Sequence, residues 1–234
     1  MHILVIGDAC IDEYRFGTIN RVNPESTAPL LTYHTKEERL GMAHNVANNL
    51  RVLGADVTLS VPRDLSRKIR YIDKRTGSHL LRVDHDVNCE PYIPTQYHKF
   101  DAIVISDYDK GYLTTEVIRT IRNNFAGAMY MDTKKTDLAK FNGIKLKIND
   151  LEYRRAISLN DDYVVTHGAK GCSYKGKSYP AEQIEVVDVC GAGDVFLATM
   201  AYVHLTTDDM DRALVFANKL AATSCTKLGT VCVS

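Results

Sequence analysis

Val186-Val187-Asp188-Val189-Cys190-Gly191-Ala192-Gly193-Asp194-Val195-Phe196 decides how this chain is read. Two glycines flank an alanine and an aspartate follows. An apolar run then begins (Val195, Phe196, Leu197, Ala198, Met200, Ala201) that reads as a helix. A Gly-rich turn opening a helix aims unpaired backbone N–H groups at one spot, and the helix dipole makes that spot suit an anion. Glycine leaves room for a phosphate to reach the backbone, where a Cβ would hold it off. A carboxylate beside such a hole repels phosphate, so anion binding alone does not explain Asp194. The pair makes sense if Asp194 takes a proton from a hydroxyl while the N–H groups of Gly191, Ala192 and Gly193 stabilise charge on the group attacked. That is the chemistry of a sugar or nucleoside kinase. An ordinary helix start with an acidic first turn has the same residues, and the rest of the chain has to separate the two.

Working outward, 234 residues suffice for one large domain over 1–234. Lys plus Arg and Asp plus Glu both number 29, so there is no basic field to argue for nucleic acid. No apolar run approaches membrane-spanning length. The start, Met1-His2-Ile3-Leu4-Val5-Ile6-Gly7, is a strand at once, without a charged region or cleavage site, and predicts a cytoplasmic protein. Six cysteines without a C-x-x-C pair read as free thiols of a reducing compartment.

A continuous apolar run at 2–7 predicts a strand buried on both faces of a parallel sheet, and further strands are expected at 57–61, 101–106, 128–131, 144–148 and 163–166. Helical spacing is expected from Gly41 to Gly54, over 114–125, and in two helices at 192–205 and 208–226. Strands alternating with helices predict an α/β fold. Charge-rich strands within 13–36 and a hairpin at 67–84 predict a second, smaller sheet. Asp12, Asp107, Asp132, Asn149 and Thr166 fall at or near the carboxyl ends of core strands, where ligands bind in open α/β sheets. Each alone also suits a turn or an N-cap.

The order of these pieces resembles the ribokinase (PfkB) carbohydrate kinases, and most of all the kinase half of the bacterial bifunctional heptose 7-phosphate kinase/adenylyltransferases. The residues that carry the resemblance include Gly7-Asp8 with Asp12, Arg21-Val22-Asn23-Pro24-Glu25 and Gly41-Met42-Ala43-His44-Asn45. Ser106-Asp107-Tyr108-Asp109-Lys110-Gly111, Asp132-Thr133-Lys134-Lys135 and the Gly191–Asp194 turn complete them. The resemblance implies a ribokinase-like fold with a small β-sheet lid, ATP and Mg²⁺ as cosubstrates, and phosphorylation of a sugar or sugar-phosphate hydroxyl, foremost a heptose 7-phosphate. It implies that Asp12, Gly41 and Asn45 lie around the sugar, and that Asn149 and Glu152 form the N-x-x-E element associated with Mg²⁺ and phosphate. Thr166, Gly168 and Gly171, with Asn218, fall on the nucleotide side. Gly191, Ala192 and Gly193 form the anion hole and Asp194 is the base. Asp107 and Lys110 are candidates on the substrate side, and Lys110, Lys134 or Lys135 for the substrate's own phosphate; each lysine also suits a solvated surface.

Departures qualify this. Met42 stands where that family has a second glycine, and Cys190 replaces a threonine. A helix and strand expected after Val61 are missing, and the chain has no adenylyltransferase half. The rival reading is therefore a non-catalytic nucleotide- or sugar-binding protein derived from such a kinase. An oxidoreductase is disfavoured, since no G-x-G-x-x-G turn follows the first strand. The exposed lid edge also predicts a homodimer through the lid.

Overall fold

A computed structural model describes residues 1–92 and 95–233, so Ser234 lies outside it. In chain order, β1 (His2–Gly7) is followed by two long strands, β2 (Ala9–Val22) and β3 (Pro29–Met42). Next come α1 (Ala43–Val52), β4 (Asp56–Ser60) and the hairpin β5 (Ser66–Asp73) and β6 (His79–His85). Then follow β7 (Ala102–Asp107), α2 (Thr115–Asn124), β8 (Ala128–Thr133), β9 (Lys145–Asn149), α3 (Asp150–Arg155) and β10 (Val164–Thr166). A short hairpin, β11 (Cys172–Tyr174) and β12 (Lys177–Tyr179), precedes α4 (Ala192–Thr207) and α5 (Met210–Cys225).

Strand alternation builds the core. Ile3 and Val5 of β1 join one apolar layer and Leu4 and Ile6 the other, and all four are buried. The first layer packs against α1, α4 and α5 through Val46, Leu50, Phe196, Leu197, Met200 and Leu214. The second packs against α2 through Ile118 and Ile121. Helices on both faces explain why β1, β7 and β8 are buried on both sides. The strands form one eight-stranded sheet in the order β12-β11-β10-β9-β8-β7-β1-β4, parallel from β4 to β10. Asp107, Thr133, Asn149 and Thr166 are the last residues of β7, β8, β9 and β10, so one edge of the sheet collects them. This is the ribokinase-like architecture expected: a mostly parallel sheet flanked by helices, with a separate small sheet.

The small sheet has the order β3-β2-β5-β6. It uses the strands expected within 13–36 and 67–84 but runs further at both ends of its first hairpin. Two expectations are corrected here. Asp12 is not at the end of the first core strand but inside β2, beside Arg39 of β3 and Lys68 of β5. Gly41 does not open a helix; it pairs with Cys10 as the penultimate residue of β3, and α1 starts at Ala43. The reason is steric. A Cβ at Gly41 would fall 2.2 Å from Asp12 Oδ2 and 2.9 Å from Cys10 Sγ, so glycine serves strand-to-strand closeness rather than a helix start. The turn into α1 is made by Met42, in the left-handed φ range at 58°.

Candidate active site

The N-terminus of α4 is built as the sequence implies. Gly191 is its N-cap in the left-handed region (φ 80°), and an added Cβ there would lie 2.6 Å from Asn45 Nδ2. As first-turn groups, the N–H groups of Gly193 and Asp194 have no intrahelical acceptor. Asp188 shapes the approach: its carboxylate accepts from Cys190 N at 3.0 Å and from Gly229 N at 2.8 Å, joining the turn to the C-terminal segment. Arg39 of β3 donates to the Leu228 carbonyl at 2.5 Å, so the small sheet grips the same segment.

Asp194 is buried, yet two donors hold it. Asn45 Nδ2 donates to its Oδ2 at 3.1 Å, and the Tyr108 hydroxyl donates to its Oδ1 at 3.2 Å. Asn45 Nδ2 also reaches the Gly191 carbonyl at 3.3 Å. Burial pushes the Asp194 carboxyl up to about 6; Asp132 nearby adds to the rise, while Asn45, Lys147 and Tyr108 oppose it. The group is ionised at neutral pH yet a better proton acceptor than an ordinary carboxylate. Burial keeps the Tyr108 hydroxyl protonated, so it stays a donor.

A second polar group lies under the same turn. In the parallel pairing of β8 and β9, Asp132 stands beside Lys147, and strand alternation turns both to the α4 side. Lys147 Nζ donates to Asp132 Oδ2 at 2.6 Å, and both are buried. Among the described residues, the other oxygen, Asp132 Oδ1, is buried without a hydrogen-bond partner. One strand on, Asn149 and Glu152 form a capping box at the start of α3. Asn149 Oδ1 accepts from Leu151 N (2.9 Å) and Glu152 N (3.0 Å), and Glu152 Oε2 accepts from Asn149 N at 2.8 Å. Lys134 Nζ bonds the same Glu152 carboxylate and lies 5.2 Å from the centre of the Tyr108 ring.

The nucleotide-side residues converge on one cavity of about 360 Å³. Lys147, Asn149, Thr166, Gly168, Gly171, Ala192, Gly193 and Asn218 all line it, and Ile184, Val186, Val189 and Phe196 supply apolar wall. Gly171 (φ 93°) permits close passage: an added Cβ would meet the Tyr179 carbonyl oxygen at 2.0 Å. The Asn218 side chain is already occupied, donating to the Tyr179 carbonyl at 2.8 Å and to Cys172 Sγ at 3.5 Å. It positions the β11–β12 hairpin beside the cavity.

On the other side of Asp194, Asp12 and Gly41 touch across the small sheet, and Asp12 Oδ1 accepts from Arg70 of β5 at 2.6 Å in a buried pair. Asp107 and Lys110 are not brought to Asp194. Asp107 is buried, accepting from Thr133 Oγ1 at 2.5 Å and pairing with Lys135 at 3.2 Å, while Lys110 pairs with Asp86. Their loop contributes Tyr108 instead. Reading the sequence assigned no role to Tyr108, Arg70 or Lys147. The signal for Tyr108 was its place between the two aspartates of Asp107-Tyr108-Asp109, directly after a core strand.

Known proteins share this chain's sequence pattern and fold. The sequence model of the pfkB family carbohydrate kinases matches residues 101–233. Among curated relatives, the bifunctional protein HldE of Nitrobacter winogradskyi is 27% identical over 300 residues, covering 99% of this chain and 62% of its own length. HldE of Escherichia coli O9:H4 is 28% identical over 294 residues, covering 99% and 61%. The chain thus spans about three-fifths of the length of these relatives. Ribokinase from Thermotoga maritima shares the fold with a TM-score of 0.67 at 18% identity, over 97% of this chain and 94% of that one. Phosphofructokinase-2 from Escherichia coli reaches 0.72 at 13% identity, over 98% and 94%. With a Gly191–Asp194 turn and a buried aspartate at its head, and a family match over more than half its length, this chain belongs to the pfkB family of carbohydrate kinases.

Proposed function

We propose that this chain transfers the γ-phosphoryl group of ATP to a hydroxyl of a sugar phosphate, foremost a heptose 7-phosphate. The observation that carries the reading is Asp194, buried at the mouth of a glycine turn and held by Asn45 and Tyr108. ATP lies in the cavity lined by Thr166, Gly168, Gly171 and Asn218, its terminal phosphates toward Gly191, Ala192 and Gly193. The sugar lies between Asp194 and the small sheet, against Asp12, Gly41 and Asn45, and the small sheet acts as a lid. Asp194 accepts the hydroxyl proton as the oxygen attacks phosphorus, and the turn's N–H groups meet the growing charge. Lys68 and Lys134 both lie 5.2 Å from the Tyr108 ring centre, which supplies positive charge for a substrate that already carries a phosphate.

The residues also fit Mg²⁺. Among the described residues no three His, Cys, Asp or Glu side chains form a ready-made metal cage. A hard cation that keeps waters and phosphate oxygens needs only one or two carboxylates. The unpartnered Asp132 Oδ1 and the Glu152 carboxylate would hold it, with Asn149 orienting Glu152. Its chemistry there is neutralisation of phosphate charge. Among the described residues no helix is long and apolar enough to cross a membrane; a cytoplasmic location is part of the proposal. The long exposed edge strand β3 suits pairing with a second copy, and light scattering that finds a monomer with and without sugar would exclude that dimer.

The test is coupled ADP release across sugars and sugar phosphates. Turnover with a heptose 7-phosphate and not with neutral sugars is expected. Binding of ATP and sugar without ADP release would replace the kinase reading with a binding protein.

A further inference from the structure

Lys147 is a buried lysine, 3% exposed, with one salt-bridge partner. Among the described residues its ammonium bonds a single acceptor, Asp132 Oδ2, so two of its three protons point elsewhere. Burying an ion pair of this kind is weak evidence for stability, because desolvation offsets most of the attraction. A sheet interior built for stability alone would hold apolar side chains there, as it does at Leu146 and Ile148 on either side. What distinguishes the position is the turn above it. A Cβ added to Gly193 would lie 3.1 Å from Lys147 Nζ and 3.8 Å from Asp132 Oδ2. The ammonium thus stands against the open first turn of α4, at one end of the cavity that Asn149, Ala192 and Gly193 also line.

We infer that Lys147 is a catalytic residue of the phosphoryl transfer: its ammonium grips the γ-phosphoryl group while that group passes to the sugar hydroxyl, and Asp132 is the positioning residue that aims it. The inference rests on the proposed ATP site and adds to it a side-chain cation where the glycine turn offers only backbone donors. An ammonium at that point complements charge that spreads over the transferring oxygens. Asp194 on the adjacent turn keeps its own role as proton acceptor.

The test compares Lys147→Met with the wild type by calorimetry, using Mg²⁺ with ADP and with a non-hydrolysable ATP analogue. Losing a charged contact to the γ-phosphate should weaken the analogue about tenfold or more, with ADP within about threefold. The kcat should fall by about 10²–10³, as for loss of one preorganised donor. Removing the ammonium also removes one influence that holds the Asp194 carboxyl down, so the acid limb of kcat should move to higher pH. Because Lys147→Met strands Asp132, the double variant Lys147→Met/Asp132→Asn is measured alongside, against Asp132→Asn alone, which removes the same Mg²⁺ ligand but keeps the ammonium; the double variant's thermal stability should recover while its discrimination between the analogue and ADP stays about tenfold or more below that of Asp132→Asn. Equal loss of both nucleotides, loss of neither, or restored discrimination in the double variant overturns the inference and leaves the kinase reading standing. A wild type that binds neither nucleotide overturns both.

Discussion

Asp194→Asn separates stability from catalysis at one atom pair. The wild-type carboxyl ionises at about 6 in the fold against an ordinary 3.8. Holding it ionised at neutral pH therefore costs the fold about 3 kcal/mol. The sign follows from protons bound. Between pH 4 and 6 the folded state holds a proton that the unfolded state has released, so stability falls as pH rises through that window and is flat above it. Asparagine cannot ionise and removes both the cost and the pH dependence. Asn45 can donate to its oxygen, and the Tyr108 hydroxyl can turn to accept from its amide. The variant should therefore melt several degrees higher than wild type at pH 7, and the gap should close by pH 4. Its kcat should nonetheless fall by about 10²–10⁴, the contribution of a positioned base, with ATP binding little changed because the backbone hole remains. Coupled ADP release and calorimetric melts at pH 4, 6 and 7 give all the quantities. Turnover near the wild-type rate, or a melting gap that does not depend on pH, would refute the reasoning.

Gly193→Val should weaken nucleotide binding as well as turnover, since its Cβ would press on Lys147 Nζ at 3.1 Å and fill the phosphate's approach; calorimetry finding unchanged affinity would count against the anion hole. Gly41→Ala forces its Cβ to within 2.2 Å of Asp12 Oδ2, so the KM for sugar should rise about tenfold or more, with that for ATP unmoved. Cys190→Thr should keep or raise activity. Burial, together with Asp188, pushes that thiol up to about 11, so it is no nucleophile at neutral pH. Loss of activity in this variant would show otherwise.

The core was legible because β1, β7 and β8 are mostly apolar runs, and the α4 turn because glycines ahead of an apolar helical run mark a helix start. Asn149 and Glu152 were legible as a pair through their spacing, which is also that of a capping box. The small sheet's true extent was not. Residues 36–42 mix charges with a glycine, and pairing with β2 rather than side-chain pattern makes them a strand. The β11–β12 hairpin was missed because three-residue strands carry too little periodicity. Lys147 was missed for a different reason. Lys145-Leu146-Lys147-Ile148 was expected as a core strand, but nothing in its sequence separates Lys147 from Lys145, and only α4 packed above β8 and β9 encloses Lys147.

The passage from β3 to α1 contains no linker: Met42 ends the strand and Ala43 begins the helix. Gly41, against Asp12, and Asn45, on Asp194, therefore sit on directly joined elements. Any tilt of the small sheet on sugar entry must swing the Asn45 amide relative to Asp194, with no slack segment to absorb it. Under the proposed function, proton acceptance would be geared to occupancy of the sugar site, which would restrain idle hydrolysis of ATP by water when no acceptor is bound. A glycine pair inserted after Met42 would uncouple the two elements, and ADP release without sugar would rise relative to release with it; an unchanged ratio would show that the gearing lies elsewhere.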